Sequence, residues 1–247
     1  MTTPTETESK RPDPGRTTTV VRRRRGASNR KRRRVMLTGG LVLITVGAIL
    51  LGWLAWQFWG TNWVSKGRQV EVAADLQENW EGGQGTVDTE WGKALALLRV
   101  PAFGSDYEMP ILEGTTDEVL AAGVGHDEDT AGVGERGNFV LAAHRVTHGE
   151  PFADFPELRA GDLVYVETVN ATYTYELDSG GTELIVPFTA DWVLDPLFPV
   201  NPDANGVQPV GRPGDRIITL VTCSEIFHTD NRSVVFGHLV ETVAKLP

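Results

Sequence analysis

Cys223 is the only cysteine in this 247-residue chain. It cannot form an intramolecular disulfide, so it is either a small buried apolar residue or a reactive thiol. It follows the β-forming run RIITLVT (216–222), and the next such run begins at Arg232 after the polar segment SEIFHTDN. If the two runs pair as a hairpin, Cys223 and Arg232 are neighbours across roughly 5 Å at one end of a sheet.

A guanidinium group beside a thiol supplies two requirements of cysteine acyl transfer. Its charge favours the thiolate, and its fixed N–H donors can stabilise the oxyanion of an acyl-transfer intermediate. The third requirement is a general acid and base, for which histidine is the usual side chain. The candidates are His126, His144, His148, His228 and His238.

The five histidines are not equally placed for this role. His144 closes the apolar run NFVLAA and opens the polar loop HRVTHGEP, so the end of a strand would project its ring into a cleft. His148 lies further along that loop, where contact with solvent or substrate is expected, and His228 in the segment after the cysteine is the reserve base. His126 in a Gly- and Asp-rich turn and His238 within a predicted strand are expected to be structural.

The body of the chain, from about Trp91, reads as short apolar runs separated by Gly, Pro, Asn and Asp. This pattern predicts a mainly β barrel or sandwich. The predicted strands lie in 93–100, 138–144, 162–169, 172–177, 216–223 and 233–243. Short helices are predicted in 116–122, where a Thr cap precedes acidic residues, and in 151–159.

The net charge of −10 is unevenly distributed, because the N-terminal segment is basic. Residues 1–34 contain 12 Lys/Arg against 3 Asp/Glu and almost no large apolar side chains, which predicts a disordered cytoplasmic tail. The rest of the chain contains 11 Lys/Arg against 30 Asp/Glu. Such acidity argues against nucleic-acid binding, which needs clustered Lys/Arg on the folded part.

Residues 35–59 contain no charge in 25 positions, which is enough for a helix to cross a hydrocarbon core of about 30 Å. Arginines (22–25 and 30–34, with Lys31) precede this stretch, and Trp residues crowd its far end. The pattern predicts a single-pass cell-membrane protein with a cytoplasmic N-terminus and an extracellular body. A cleaved signal peptide is the alternative, but bulky Trp and Phe occupy the place of its small-residue cleavage site.

Residues 60–91 are predicted to form an extracellular stalk with a short helix, because Val64, Val72, Leu76 and Trp80 recur at near-helical spacing. Further along, the acidic run 127–129 (DED) could bind Ca²⁺, but its spacing lacks an EF-hand pattern. A solvated face is the favoured interpretation of this run, and we expect no metal site and no required cofactor.

The run TLVTC (219–223), followed nine residues later by Arg232, resembles the Thr-Leu-X-Thr-Cys signature of sortases. The segments RVPAFG (99–104), PILEGTT (110–116), GVGHDEDTAGVGERGNFVLAAHR (123–145) and the PF pair (151–152) also resemble this family. The resemblance covers about Leu97 to Val243. It implies a sortase-type closed β-barrel of about eight strands, with short connecting helices, as the catalytic domain in residues 92–247.

The resemblance also implies an activity. The Cys223 thiolate would attack the Thr carbonyl of a Leu-Ala-X-Thr-Gly or Leu-Pro-X-Thr-Gly sorting signal on a surface protein, and Arg232 would hold the oxyanion. His144 would protonate the departing amine and then accept a proton from the incoming one, supplied by a lipid-linked peptidoglycan precursor. Thr222 could hydrogen-bond near the nucleophile or the substrate.

Within the family the chain looks most like class E, the housekeeping group of actinobacteria. Class E members usually carry Tyr where this chain has His148, a position implicated in recognising the residue after Leu in the sorting signal. His148 and Thr222 are therefore the candidate substrate-binding residues.

Two other functions compete with cell-wall anchoring. A pilus-polymerising sortase would join protein subunits through a lysine, but such enzymes commonly carry an active-site lid, and residues 82–91 show no clear lid motif. A catalytically silent, membrane-tethered binding domain could keep the same barrel. The presence of His144, Cys223 and Arg232 together argues against that alternative.

Overall fold

The computed structural model describes residues 26–56, 60–224 and 230–245. The chain forms two compact units, Met1–Gly52 and Trp53–Pro247. Helix α1 (Gly26–Ala55) contains a 25-residue stretch, Arg30–Leu54, that is long and apolar enough to cross a membrane, with a mean hydropathy of 2.3. Residues 26–34, expected in the tail, are the first turns of α1. The preceding part of that tail and Trp59 lie outside the described residues.

The described part of the second unit contains ten strands. They are β1 (Val87–Thr89), β2 (Gly92–Arg99), β3 (Met109–Glu113), β4 (Val124–His126), β5 (Gly137–Ala142), β6 (Leu163–Glu167), β7 (Ala171–Leu177), β8 (Ile185–Pro187), β9 (Arg216–Cys223) and β10 (Asn231–Ala244). Eight of them close into a barrel in the order β2-β3-β4-β5-β9-β10-β7-β6, because β6 pairs back onto β2. Strand β1 pairs with β2 outside this closed order, and β8 pairs with β10. The predicted closed barrel of about eight strands is confirmed.

The barrel forms because its strands alternate apolar and polar side chains or are apolar throughout. Strands β5 and β9 are buried almost along their whole length, as expected for a parallel pair. Their inward side chains, such as Phe139 and Leu220, meet those of β2, β6, β7 and β10 in one core. Strands β3, β4 and β8 were not predicted, since each is short and contains a proline or glycine.

Two helices of the second unit pack on the barrel. Helix α3 (Asp117–Ala122) begins where predicted, with the Thr116 hydroxyl accepting the Val119 N–H. Helix α2 (Thr61–Glu81) lies in the segment expected to be a stalk, but it buries Val72 and Leu76 fully against β2, β3 and α3. The helix expected in 151–159 is reduced to a 3-10 turn at Phe155–Glu157.

A buried amide joins the barrel to the segment after β8. Asn138 is fully buried, and its Nδ2 donates to the carbonyls of Val193 and Asp195, both at 3.1 Å. Its Oδ1 accepts from the Thr219 hydroxyl of β9 at 2.6 Å. Every polar atom of this side chain is therefore satisfied without water, as buried amides require.

We expect Asn138→Ala to destabilise the full-length protein by about 2–4 kcal/mol, because two carbonyls and one hydroxyl lose a buried partner. The measurement is urea unfolding in detergent micelles, followed by circular dichroism. Ser105→Ala is the control, since Ser105 is exposed and bonds only its neighbour Asp106 through its side chain. An unfolding midpoint unchanged from that of the wild-type protein would contradict the role of Asn138.

Candidate active site

Three neighbouring strands of the barrel bring together the residues that the sequence predicted for acyl transfer. Arg232 is the direct partner of Cys223 in the antiparallel ladder between β9 and β10. Strand β5 runs parallel to β9 as far as Ala142, which pairs with Val221. The next residue, Ala143, bonds Val221 and Thr222, so His144 follows the end of β5 beside the end of β9. Because adjacent strands lie about 4.8 Å apart, His144 and Arg232 flank the cysteine on its two sides.

Hydrogen bonds hold the end of β5 beside the end of β9. The Ala143 N–H donates to the Val221 carbonyl at 3.2 Å, and the Thr222 hydroxyl donates to the Ala143 carbonyl at 2.8 Å. The Arg145 guanidinium donates to the carbonyl of Ser224. These bonds lie at residues adjacent to His144 and Cys223, so one backbone bond and two side-chain bonds hold the two strand ends together.

Thr222 was predicted to lie near the nucleophile or the substrate. The structure places its side chain inward, 3% exposed, with the hydroxyl bonded to the residue before His144. The Thr222 hydroxyl therefore bonds the backbone next to His144. A direct contact with the substrate stays a prediction.

The ring of His144 is partly withdrawn from water. It stacks on His148 with ring centroids 4.7 Å apart and an interplanar angle of 28°. Burial, followed by the proximity of His148, lowers the pKa of His144 to about 4, while Asp117 acts weakly in the opposite direction. Its Nε2 is buried without a hydrogen-bond partner in the described part of the chain. At neutral pH the ring is therefore uncharged and can accept a proton.

The guanidinium of Arg232 lies over the ring of Phe188, 4.7 Å from its centroid. Such a cation–π contact orients a positive charge. Arg232 Nη1 also donates to the Asn231 carbonyl at 3.1 Å. Phe188 follows β8 and pairs through its backbone N–H with the Asp230 carbonyl. No spacing rule linked Phe188 to Arg232, because they are distant in sequence and meet only through the pairing of β8 with β10.

The other histidines lie away from this group or outside the described residues. His126 is buried, with Nδ1 2.7 Å from Glu113 Oε1 and Nε2 3.0 Å from the Ala131 carbonyl. His238 pairs through Nδ1 with Asp178 Oδ1 at 2.6 Å. Both are structural, as predicted. His228, the reserve base, lies outside the described residues.

The acidic run 127–129 forms a turn, in which the Asp127 carboxylate accepts the Asp129 N–H at 3.2 Å. Within the described residues, no three His, Cys, Asp or Glu side chains are grouped to hold a metal ion. The turn therefore offers no observed support for a Ca²⁺ site.

Thr222→Val is expected to lower catalytic activity several-fold, because the Ala143 carbonyl loses its donor and the histidine-bearing strand end loosens. Thr222→Ser, which keeps the hydroxyl, should restore most of the activity. Both variants are compared by initial rates of peptide turnover. Equal rates for Thr222→Val and the wild-type protein would exclude this positioning role.

The low pKa of His144 predicts a measurable titration. Ring-carbon NMR of histidine-labelled protein should show His144 titrating near pH 4, with His144→Gln used for assignment. His148→Gln should raise the pKa of His144, since a neighbouring positive charge and part of the burial are removed. The depressed pKa also contributes stability that is fully present above the ordinary value of 6.5 and is lost as pH falls toward 4. A pKa of 6.5 or above for His144 would contradict this description of the site.

Comparison with known proteins places the chain and its fold in one family. The sequence model of the Sortase domain matches residues 98–240. The chain is 36% identical to sortase SrtE1 of Streptomyces coelicolor over 82% of its own length and 56% of the relative's. It is 30% identical to SrtE2 of the same organism, covering 82% of this chain and 81% of the relative.

Among solved structures, sortase E from Streptomyces avermitilis superposes with a TM-score of 0.53 at 35% identity, over 63% of this chain and 93% of that one. The similarity to class E sortases predicted from the sequence is confirmed. The chain belongs to the sortase family.

Proposed function

We propose that this chain is a cysteine transpeptidase that cleaves a Leu-Ala/Pro-X-Thr-Gly sorting signal between Thr and Gly and joins the Thr to an amine. The observation that carries the proposal is the placement of Cys223 between His144 and Arg232 on three adjacent strand ends. This order gives one nucleophile a base on one side and an oxyanion donor on the other.

The first half of the reaction forms a thioester. Neutral His144 accepts the thiol proton as the Cys223 sulfur attacks the Thr carbonyl carbon. The guanidinium of Arg232 holds the resulting oxyanion. The carbon–nitrogen bond then breaks, and the imidazolium of His144 gives its proton to the departing Gly amine.

The second half returns the enzyme to its starting state. The incoming amine loses a proton to His144 and attacks the thioester carbonyl, and Arg232 again holds the oxyanion. The carbon–sulfur bond breaks, and Cys223 recovers the proton from His144. The free energy of the peptide bond is conserved in the thioester, so the reaction needs no ATP and no cofactor.

Membrane anchoring supports a lipid-linked peptidoglycan precursor as the source of the amine. Helix α1 is a candidate anchor, and its exposed apolar side chains suit a lipid environment. Basic residues at the start of α1 and Trp53 and Trp56 at its end favour a cytoplasmic N-terminus and an extracellular barrel. An acceptor held in the same membrane would then reach the thioester from a surface shared with the enzyme.

The test uses the full-length protein in detergent micelles with Leu-Ala-X-Thr-Gly or Leu-Pro-X-Thr-Gly peptides and triglycine as the amine. Mass spectrometry should detect the Thr-linked triglycine product and an acyl adduct on Cys223, and neither should form with Cys223→Ala. A folded protein that yields no adduct on either peptide would overturn the proposal in favour of a silent binding domain. Comparison of the two peptides tests whether His148 affects recognition of the residue after Leu.

Arg232→Lys is expected to lower kcat about 100-fold, because a single ammonium group cannot reproduce the fork of donors at the oxyanion. Arg212→Lys is the matched control, since Arg212 is exposed in a loop and should keep full activity. The kcat values of both variants are measured from steady-state rates with whichever of the two peptides is turned over faster. A rate for Arg232→Lys close to that of the wild-type protein would contradict the oxyanion role. A similar loss in Arg212→Lys would show that the effect is not specific to Arg232.

A further inference from the structure

Polar residues of helix α2 reach the loop that follows β5, here called the histidine loop (His144–Pro151). Asn62 lies in the first turn of α2, and Gln69 lies two turns later with 3% of its surface exposed. Burial of a glutamine in a helix face that otherwise packs apolar residues is costly unless its amide is used. Asn62 uses both atoms of its amide on the histidine loop, and Gln69 uses its Nε2, while Gln69 Oε1 is buried without a partner among the described residues.

Three hydrogen bonds connect the two elements. Asn62 Nδ2 donates to Glu150 Oε1 at 2.7 Å, and Asn62 Oδ1 accepts the Gly149 N–H at 3.0 Å. Gln69 Nε2 donates to the His148 carbonyl at 3.0 Å. Three successive residues of the loop are thus bound to one helix, mostly through their backbone.

The same three residues adopt a left-handed backbone conformation. The φ angles are 55° for His148, 82° for Gly149 and 56° for Glu150, and the first and last are the non-glycine residues of the described chain with positive φ. Such a conformation costs about 1 kcal/mol or more for each residue with a side chain. It persists only where surrounding contacts hold it, and α2 supplies those contacts.

Gly149 shows how closely the helix approaches. A Cβ atom at this position would lie 2.5 Å from Gln69 Nε2, so any side chain there would displace the Gln69 amide. On another side, the ring of His148 borders a cavity lined by Ser65, Arg68 and Asp117. Packing there is incomplete, so the hydrogen bonds from α2 are the main restraint on this part of the loop.

The restraint extends to the proposed base. The ring of His148 stacks on the ring of His144, and the Phe152 N–H closes the loop by donating to the His144 carbonyl at 3.0 Å. Tyr107 fixes the far end through its hydroxyl, which donates to the Pro151 carbonyl at 2.8 Å. Any shift of residues 148–150 therefore changes the surroundings of the His144 ring.

We propose that Asn62 and Gln69 are positioning residues for His144, acting from α2 through the left-handed segment His148–Glu150 of the histidine loop. The inference rests on the proposed function for its kinetic consequence only. The helix that follows the candidate membrane anchor is accordingly part of the machinery that orients the general base.

The test exchanges the donor and the acceptor of the hydrogen bond between Asn62 and Glu150. Asn62→Asp removes the donor to Glu150 and places two carboxylates together, so kcat should fall about 10-fold with KM little changed. The pKa of His144 should also rise, because a loosened His148 admits water to the ring. Adding Glu150→Gln reverses donor and acceptor, keeps the acceptor for the Gly149 N–H, and should restore both values.

Two further variants, Gln69→Met and Gln77→Ala, are compared with these. Every variant is made in the full-length protein in detergent micelles. Gln69→Met fills similar space without a donor and should resemble Asn62→Asp. Gln77→Ala should be silent, because Gln77 lies on the same helix but its exposed amide bonds Glu108, which is outside the histidine loop. Unchanged kcat and unchanged His144 titration in Asn62→Asp and Gln69→Met would overturn the proposal. So would failure of Glu150→Gln to rescue Asn62→Asp. If the wild-type protein forms no transpeptidation product while the His144 pKa still shifts and recovers as described, the proposed function fails and the positioning role stands.

Discussion

The parallel ladder between β5 and β9 is the constraint on which the candidate site depends. Neither strand carries a complete set of chemical groups, and only their pairing brings His144 level with Cys223. A slip of one residue would turn alternate side chains to the other face and separate the two groups. The buried bond between Asn138 and Thr219 crosses this ladder and favours a single register. Two residues far from any substrate thus fix the alignment on which acyl transfer would rely.

The three groups of the site are held in different ways, and each way suits a different task. His144 is kept uncharged by burial and by a second histidine, so it is ready to take a proton. Arg232 lies over an aromatic face and donates to the Asn231 carbonyl, and these contacts orient its guanidinium group. Cys223 is half-buried at the end of its strand, between the two. In the proposed reaction His144 and Arg232 serve as base and oxyanion donor for the Cys223 thiol.

The sequence allowed the barrel and the main groups of the site to be predicted, because both depend on local patterns. A β-run ending in Cys and the next one starting at Arg232 predict a hairpin that places the two together. The long uncharged stretch and the Thr116 cap predict helices for equally local reasons. Strands β3, β4 and β8 were missed, since they are short and are strands only because neighbours pair with them.

The remaining features of the site could not be predicted for the same reason. Phe188 meets Arg232 across strands, and Asn62 meets Glu150 across 88 residues of sequence. No periodicity links such positions. Helix α2 was expected to be a short helix within a stalk, because its apolar residues recur at near-helical spacing. The structure shows that its polar residues are the ones with the specific partners, and polar contacts of this kind leave no repeating pattern in a sequence.

The topology of the barrel also has a consequence for folding. Cys223 and Arg232 belong to consecutive strands, and a hairpin of this kind closes quickly because little chain entropy is lost. The Thr222 to Ala143 bond that accompanies the arrival of His144 joins residues 79 positions apart. Contacts of such separation form late, as the barrel closes. A newly made chain is therefore expected to have its thiol beside an arginine well before it has a base, and to gain the capacity for acyl transfer only in the last stage of folding.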